Sequence, residues 1–403
     1  MVRRESSPLA GSAIILAALV LVAVNLRIAV TSVGALLAEV RDGLSLDATT
    51  VGLLTALPTI AFAVFGVVTP RLSRRVRPGA LLLISMALLA AGQLVRAVTS
   101  SALVFFATSA IALAGIAVAN ILLPSLVKQY YPDRVGAATG IYTTALVGGG
   151  AVAAATTVPV AEAAGSWRAG LGVWAALAAL ALPMLLLSGA GRASGRDAGA
   201  ESGPPSAGPP IRPGRTGLGW AMALYFGLQS LSAYAVMGWL PQIYRDAGFS
   251  AHSAGALLAV AIAAGVPIAL IMPTIAGRLR DQRALVLALA VLTAIGYVGL
   301  AVAPRAGAVV WPVVIAVGHG AFPLALAMIG LRSRTPAGTM ALSGFAQGVG
   351  YLIASGGPFL IGVLYAASGG WTVPIGFLLA ALVVQALSGL AAARPRVIEA
   401  EAA

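Results

Sequence analysis

A single arginine, Arg27, lies in the middle of the first long apolar segment, which carries no other charge from about residue 12 to about residue 38. A charge near the middle of a bilayer is costly, so such residues usually serve a ligand or hold helices together. The planar guanidinium fork matches carboxylate-like or nitro oxygens. We therefore predict that Arg27 binds an anionic or oxygen-rich ligand. The alternative is an arginine that bonds to helix carbonyls and locks two helices together.

No carboxylate accompanies Arg27 inside an apolar segment. The acidic residues all fall in tails, loops or segment ends: Glu5, Glu39, Asp42, Asp47, Asp133, Glu162, Asp197, Glu201, Asp246, Asp281, Glu399 and Glu401. A transporter that trades protons against cationic drugs usually needs a buried carboxylate. The sequence therefore favours a carrier that does not run on a carboxylate proton relay.

Other polar and aromatic side chains also occupy apolar segments, where they should face the interior of the protein or a wet cavity. The candidate substrate-binding residues are Asn25, Arg27, Asn120, Tyr142, Gln229, Tyr234, His319, Gln347 and Tyr351. The amides can bind substrate or join helices, and the tyrosines can stack on a flat ring or belong to the core. His319 is the one imidazole placed in the interior of a span. It is either a structural histidine bonded to a neighbour or a proton carrier.

The composition predicts an all-α membrane protein, since 60% of the residues are hydrophobic, 9% are charged and the mean hydropathy is +0.97. Twelve segments are long enough to span a bilayer. They cover residues 12–39, 49–70, 79–97, 102–126, 134–160, 168–189, 217–243, 252–276, 284–303, 308–331, 339–366 and 371–393. We find no catalytic, ATP-binding or metal-binding motif, and the chain has no cysteine. We expect no enzyme activity, no cofactor and no metal.

The basic residues predict that both termini are cytoplasmic, because cytoplasmic loops carry the excess of Lys and Arg. With that topology the inner face holds Arg3, Arg4, Arg71, Arg74, Arg75, Arg77, Lys128, Arg134, Arg192, Arg196, Arg212, Arg215, Arg278, Arg280, Arg283, Arg332, Arg334, Arg394 and Arg396. The outer face holds Arg41, Arg96, Arg168, Arg245 and Arg305. This asymmetry explains the net charge of +13 without a nucleic-acid partner.

The chain divides into two halves at a loop rich in Gly, Pro and Ser. The predicted parts are an N-terminal six-helix bundle (1–189), a flexible cytoplasmic linker (190–216) and a C-terminal six-helix bundle (217–403). The halves echo each other, since a proline precedes a glycine by eight residues before the fifth span (Pro132, Gly140) and again before the eleventh (Pro336, Gly344). Two six-helix bundles with a site between them at mid-depth are typical of a major facilitator transporter.

A basic loop after the second span and its counterpart after the eighth supply candidate gating residues. The superfamily usually has a Gly and an Asp among these basic residues. The first copy, PRLSRRVRP (70–78), lacks both, whereas the second, GRLRDQR (277–283), retains them. The candidates are Arg71, Arg74, Arg278 and Asp281. A simple positive-inside loop explains the arginines equally well.

Several strings in both halves resemble the cyanate and 2-nitroimidazole transporter family within that superfamily. They are NLRIAVTSVGALL (25–37), NILLPSLVKQYYP (120–132), TGIYTTAL (139–146), QSLSAYAVMGWLPQIY (229–244), HGAFPLALAMIGLRSRTP (319–336) and LSGFAQGVGYLIASGGP (342–358). The resemblance implies transport of a small anion or a small nitro-heterocycle across a bacterial cytoplasmic (inner) membrane. The alternatives are a proton-coupled multidrug exporter and a non-transporting receptor or membrane enzyme. A carrier of this type can work as a monomer.

The predicted topology can be tested by thiol labelling, because the chain has no cysteine of its own. In intact cells the variants Ser6→Cys and Ser202→Cys should resist a membrane-impermeant thiol reagent. Ser100→Cys lies between the third and fourth spans on the predicted outer face, so it should react. Labelling of Ser6→Cys or Ser202→Cys from outside would contradict cytoplasmic termini and linker.

Overall fold

The computed structural model of the chain describes residues 8–46, 48–188 and 211–401, and these residues form helices and no strands. The helices are α1 (Pro8–Ala35), α2 (Leu37–Gly43), α3 (Ala48–Leu72), α4 (Pro78–Val98), α5 (Ala102–Tyr130), α6 (Val135–Ala163), α7 (Trp167–Leu187), α8 (Gly217–Asp246), α9 (Ala251–Arg278), α10 (Arg283–Val302), α11 (Val310–Gly318), α12 (Ala321–Leu331), α13 (Pro336–Ser368), α14 (Thr372–Ala392) and α15 (Ile398–Glu401). A helix bonds its own backbone groups, as a bilayer requires.

The twelve predicted spans all coincide with helices. Ten stretches of the described residues are long and apolar enough to cross a membrane, with α11 and α12 counted as one. The other two are α3, whose apolar stretch Leu57–Leu72 is shorter, and α8, which carries Gln229, Ser230 and Ser232 near its middle. The predicted all-α membrane fold is confirmed. The linker predicted at 190–216 falls largely outside the described residues, so the division at this loop stays a prediction.

The tenth predicted span is broken in its middle, between α11 and α12. Pro323 lacks the N–H that would bond to the carbonyl of His319, and the N–H of Phe322 bonds to that carbonyl instead, at 3.0 Å. Gly318 lies against Thr293 and the Leu289 carbonyl of α10, where a Cβ would clash. The break therefore fixes His319 at a turn between two short helices.

Helices of the first half cross helices of the second at two glycine-rich contacts. In the α6–α9 contact, a Cβ on Gly136 would lie 2.7 Å from the Cα of Gly277. In the α3–α13 contact, a Cβ on Gly66 would lie 2.7 Å from the amide nitrogen of Gly348. Small residues let helix backbones approach closely inside a membrane. We call these contacts the two glycine crossings.

Three hydrogen bonds join the two halves near these crossings. Ser125 Oγ donates to the Pro336 carbonyl at 2.8 Å, and Thr143 Oγ1 donates to the Ala269 carbonyl at 2.7 Å. In the third, Ser343 Oγ donates to the Ile121 carbonyl at 3.1 Å. Together with the glycine crossings they close the protein on one side.

The closed side is the one that carries the C-terminal residues. There the Glu399 carboxylate accepts hydrogen bonds from the N–H groups of Arg334 and Thr335, at the start of α13. The Glu401 carboxylate accepts one from the N–H of Leu218, at the start of α8. Carboxylates are favourable at helix N-termini, so these bonds fix the end of the chain to the second half. We call this the terminal side.

A methyl group at the α3–α13 crossing should separate the halves on the terminal side. In Gly66→Ala the new Cβ would meet the Gly348 backbone and, at 2.9 Å, the Gly344 carbonyl oxygen. Backbone cannot move aside, so we expect an overpacking cost of about 1–3 kcal/mol, relieved by opening the crossing. A cysteine replacing Ser343 should then react faster with thiol reagents.

The matched control is Gly148→Ala, because no atom lies within 4 Å of a Cβ placed at Gly148. This variant should leave the reactivity of the cysteine at position 343 unchanged. Equal reactivity in the Gly66→Ala and Gly148→Ala backgrounds would show that the glycine contact does not hold the terminal side closed.

Candidate functional site

A cavity of about 190 Å³ lies between the two halves, beyond the glycine crossings as seen from the terminal side. Its walls are mostly apolar, and its polar or aromatic lining residues are Arg27, Thr31, Gln229, Ser230, Tyr234, His319, Phe322 and Tyr351. Pockets for drug-sized ligands span roughly 300–1,000 Å³. The cavity therefore suits a smaller molecule.

Close packing of α1 against α6 places Arg27 in this cavity. A Cβ on Gly149 would clash with the carbonyl of Val24, and one on Gly150 would lie 3.2 Å from the Cβ of Arg27. Residues with side chains at these positions would push α6 away from α1. The two glycines thus set the distance between these helices at the depth of the guanidinium.

The guanidinium of Arg27 forms no hydrogen bond or ion pair with any other described residue. Its Cζ lies 5.7 Å from the ring centre of Phe322, which gives a cation–π contact across the two halves. An arginine that served as a helix lock would bond to carbonyls, as Arg96 does below. The free N–H groups of Arg27 instead face a cavity that an acceptor-rich molecule can enter.

The second half contributes four of the predicted site residues to the same cavity: Gln229, Tyr234, His319 and Tyr351. The ring of Tyr351 packs on Phe62 at 4.5 Å and on Phe226 at 5.1 Å between ring centres. This packing holds its ring in place. Arg27 and Tyr234 are 207 residues apart, as are the starts of the two basic loops at 70 and 277, and both residues line the cavity.

The other four predicted site residues do not line the cavity. Asn120, Tyr142 and Gln347 are buried on its terminal side, where the Gln347 amide donates to Ser343 Oγ at 2.8 Å. Asn25 is buried inside the first half, and its amide donates to the Leu21 carbonyl at 2.8 Å. Residues two apart on a helix point in nearly opposite directions. Asn25 therefore does not share the cavity with Arg27.

The burial of Arg96 was not anticipated from the sequence, which places this residue at the outer end of the third span. Its side chain is only 1% exposed, and one of its nitrogens donates to the Ala29 carbonyl at 3.2 Å. This bond fastens α4 to α1 on the side away from the cavity. Burial here depends on which helices meet, so the position of Arg96 within its own segment gives no signal.

The histidine at the α11–α12 break is bonded to a hydroxyl of α8. His319 Nε2 lies 3.0 Å from Ser232 Oγ, and Ser232 Oγ also bonds to the hydroxyl of Tyr297 on α10. Tyr297 is 1% exposed and does not line the cavity. The sequence indicates His319 but not Ser232 or Tyr297 as a site residue, since residues on different helices cannot be paired from their spacing.

The four candidate gating residues lie at the terminal side and outside the cavity. Asp281 forms an ion pair with Arg283 of its own loop, at 2.6 Å. Hydrogen bonds from Arg283 lower the pKa of Asp281 below its ordinary value. Arg71 donates to the Val67 carbonyl at 2.7 Å, and Arg74 and Arg278 are exposed. The structure does not bring these four residues together.

Curated relatives match nearly the whole chain. It is 35% identical to an uncharacterised transporter, YycB, of Bacillus subtilis (94% of this chain, 93% of the relative). It is 33% identical to the 2-nitroimidazole transporter of Escherichia coli (96% of each). It is 31% identical to the cyanate transport protein CynX of Escherichia coli (89% of this chain, 92% of the relative).

Solved structures share the fold at low sequence identity. The proton:xylose symporter XylE superimposes with a TM-score of 0.77 at 13% identity, over 97% of this chain and 99% of that one. FucP in its outward conformation superimposes with a TM-score of 0.70 at 14% identity, over 94% of this chain and 98% of that one. These similarities show the fold alone.

The family model of the Major Facilitator Superfamily matches residues 15–355. This match covers most of the chain and agrees with the relatives, the solved structures and the helical architecture. The protein is therefore a multi-pass membrane transporter rather than an enzyme, and it belongs to the major facilitator superfamily.

Proposed function

We propose that this transporter carries a small anion, such as a cyanate-like ion, or a small nitro-heterocycle, by alternating access across the bacterial inner membrane. The observation that carries the proposal is the unpaired guanidinium of Arg27 in a small cavity between the halves. Two relatives similar over most of the chain are named for 2-nitroimidazole and cyanate. Their names support the same chemical class.

The cavity divides into a charged wall and an aromatic wall. Arg27 offers N–H groups to the negative or oxygen-bearing end of the substrate. Tyr234 offers a ring face and a hydroxyl group from the second half, whereas Tyr351 and Gln229 line the same wall but are almost fully buried. This combination suits a small, flat molecule rich in hydrogen-bond acceptors.

Alternating access would follow from opening of the terminal side. The glycine crossings and the hydrogen bonds beside them close that side, while the cavity lies beyond them. A site at the interface of two repeats can be exposed to either side by rocking of one half against the other. With cytoplasmic termini, this structure corresponds to the outward-facing state of the proposed cycle.

A proton-coupled multidrug exporter is the alternative function, and the cavity argues against it. No Asp or Glu belongs to the described residues that line the cavity. A cationic drug would meet the positive charge of Arg27 with no carboxylate to offset it. Its binding should therefore be disfavoured.

Substitution of Arg27 tests the proposed function. Hydrogen bonds to a charged group contribute about 1.5–3 kcal/mol each, so Arg27→Ala should weaken binding of cyanate or 2-nitroimidazole by about ten-fold or more and abolish transport in proteoliposomes. Arg27→Lys should recover little, because an ammonium lacks the planar fork. Binding can be followed as ligand-dependent thermal stabilisation of the purified protein.

The control for this experiment is Arg212→Ala, which removes an exposed arginine outside the cavity. It should bind and transport as the wild type does. Normal transport of both probes by Arg27→Ala would refute the anion proposal. Efficient transport of lipophilic cations by the wild type, with neither probe recognised, would favour the multidrug exporter.

The absence of a carboxylate from the described cavity walls predicts that transport does not depend on a proton gradient. Uptake of radiolabelled substrate into proteoliposomes should be about equal with and without a pH difference across the membrane. His319 is the one imidazole among the described residues that line the cavity, so it is the residue to test for any proton dependence. A steep dependence on the gradient that persists in His319→Gln would contradict this prediction.

A further inference from the structure

A line of hydrogen bonds runs from the cavity into the interior of the second half. It joins His319 Nε2 to Ser232 Oγ, at 3.0 Å, and Ser232 Oγ to the hydroxyl of Tyr297. His319 lines the cavity, whereas Tyr297 is buried behind it. We call these residues the His–Ser–Tyr chain. The proposed function uses Arg27 and leaves the chain without a role.

The direction of the hydrogen bonds in the His–Ser–Tyr chain follows from Tyr297, at its buried end. Ser232 is the one hydrogen-bond partner of the Tyr297 hydroxyl among the described residues. If Tyr297 only accepted a proton from Ser232, its own O–H would donate to nothing in a buried site. Such an unmade hydrogen bond costs about 1–3 kcal/mol. A phenol O–H is also a stronger hydrogen-bond donor than an alcohol O–H, so Tyr297 should donate to Ser232.

This direction sets the protonation of the imidazole. Ser232 Oγ bonds to Tyr297 and to His319 and to no other described residue. Once it accepts the proton of Tyr297, its own proton therefore has His319 Nε2 as its acceptor. Nε2 then acts as an acceptor, and in a neutral imidazole the proton must reside on the other nitrogen, Nδ1. Nδ1 forms no hydrogen bond with any described residue, and the His319 side chain lines the cavity.

We propose that the His–Ser–Tyr chain holds His319 as the neutral Nδ1–H tautomer, so that the second half presents a fixed hydrogen-bond donor to the cavity. Tyr297 and Ser232 are then positioning residues, which act on substrate selection through His319. This inference rests on the proposed function for its ligand and extends it. The substrate would need two acceptor regions, one for Arg27 on the first half and one for His319 on the second.

The tautomer also gives the site selectivity that Arg27 alone lacks. Because the imidazole is neutral, His319 adds no second positive charge to the cavity. Its Nδ1–H can therefore donate a hydrogen bond either to a nitro group or to the far end of an anion. A ligand that carried a hydrogen-bond donor opposite His319 would place that donor against Nδ1–H. Such mismatches leave buried polar groups unpaired and discriminate strongly.

Nitrogen-15 NMR of histidine-labelled protein can read the tautomer directly. The chain has only two histidines, so His252→Gln leaves a single imidazole. Above the pKa of about 6.5 that an unperturbed histidine has, the spectrum should show a protonated Nδ1 and an unprotonated Nε2. In Tyr297→Phe the Ser232 hydroxyl is no longer held by Tyr297 and can turn its proton toward a carbonyl of its own helix. Nε2 can then carry the proton, so the spectrum should move toward a mixture of the two tautomers.

Tyr225→Phe is the matched control, because Tyr225 is a buried tyrosine of the same half that does not line the cavity, and its hydroxyl has no partner among the described residues. It should leave the spectrum unchanged. If Tyr297→Phe does not fold, Ser232→Ala provides the same comparison, since it also removes the donor to Nε2. An Nε2–H tautomer in the wild type, or a spectrum that neither variant alters, would overturn the proposal.

Binding measurements separate this proposal from the proposed function. Tyr297→Phe should weaken binding of cyanate or 2-nitroimidazole by about three- to ten-fold, whereas Tyr225→Phe should leave it unchanged. Unchanged affinity in Tyr297→Phe would show that the His–Ser–Tyr chain does not select substrate. If neither probe binds the wild type, the proposed substrate class fails. The NMR comparison then still decides whether the chain fixes the tautomer.

Discussion

The architecture depends on one constraint, the positive charge of Arg27, which forms no ion pair with any described residue. Arg27 cannot face hydrocarbon at an acceptable cost, and no acidic residue lines its cavity. The two halves must therefore stay apart around the guanidinium and leave a space that water or an acceptor-rich ligand can fill. The close contacts between the halves lie elsewhere, at the glycine crossings on the terminal side. A dry core at mid-depth would bury the charge with no compensation.

The internal repeat explains why the closed side has two similar crossings. Gly140 lies against the Leu270 carbonyl in the α6–α9 contact, and its sequence counterpart Gly344 lies against Gly66 and Pro70 in the α3–α13 contact. The same proline–glycine spacing therefore serves the same purpose in each half. Contacts of this kind rest on van der Waals packing of backbone rather than on large side chains or ion pairs. Few polar groups lose partners when such a crossing opens.

The sequence predicts the helices and the charged centre of the site because both signals are local. Long apolar runs specify spans, and one charge within such a run is conspicuous. The sequence does not show what depends on tertiary packing. Asn25 lies only two residues from Arg27 but faces the other way, and Arg96 is buried where its side chain reaches the Ala29 carbonyl of α1. The break at His319 has a local cause in Pro323, but its partners on α8 and α10 do not. Sequence therefore finds candidates, and only the fold selects among them.

A ligand changes a conformational equilibrium only by the difference in its affinity for the two states. Arg27 is carried by the first half, whereas His319 and both cavity tyrosines are carried by the second. A molecule that contacts only Arg27 gains nothing when the halves move. One that also reaches the second half binds more tightly as the cavity narrows around it. If the proposed function is right, a molecule is transported because it contacts both halves. A small cavity serves this purpose, since a molecule of a few heavy atoms can then reach groups on opposite walls at once.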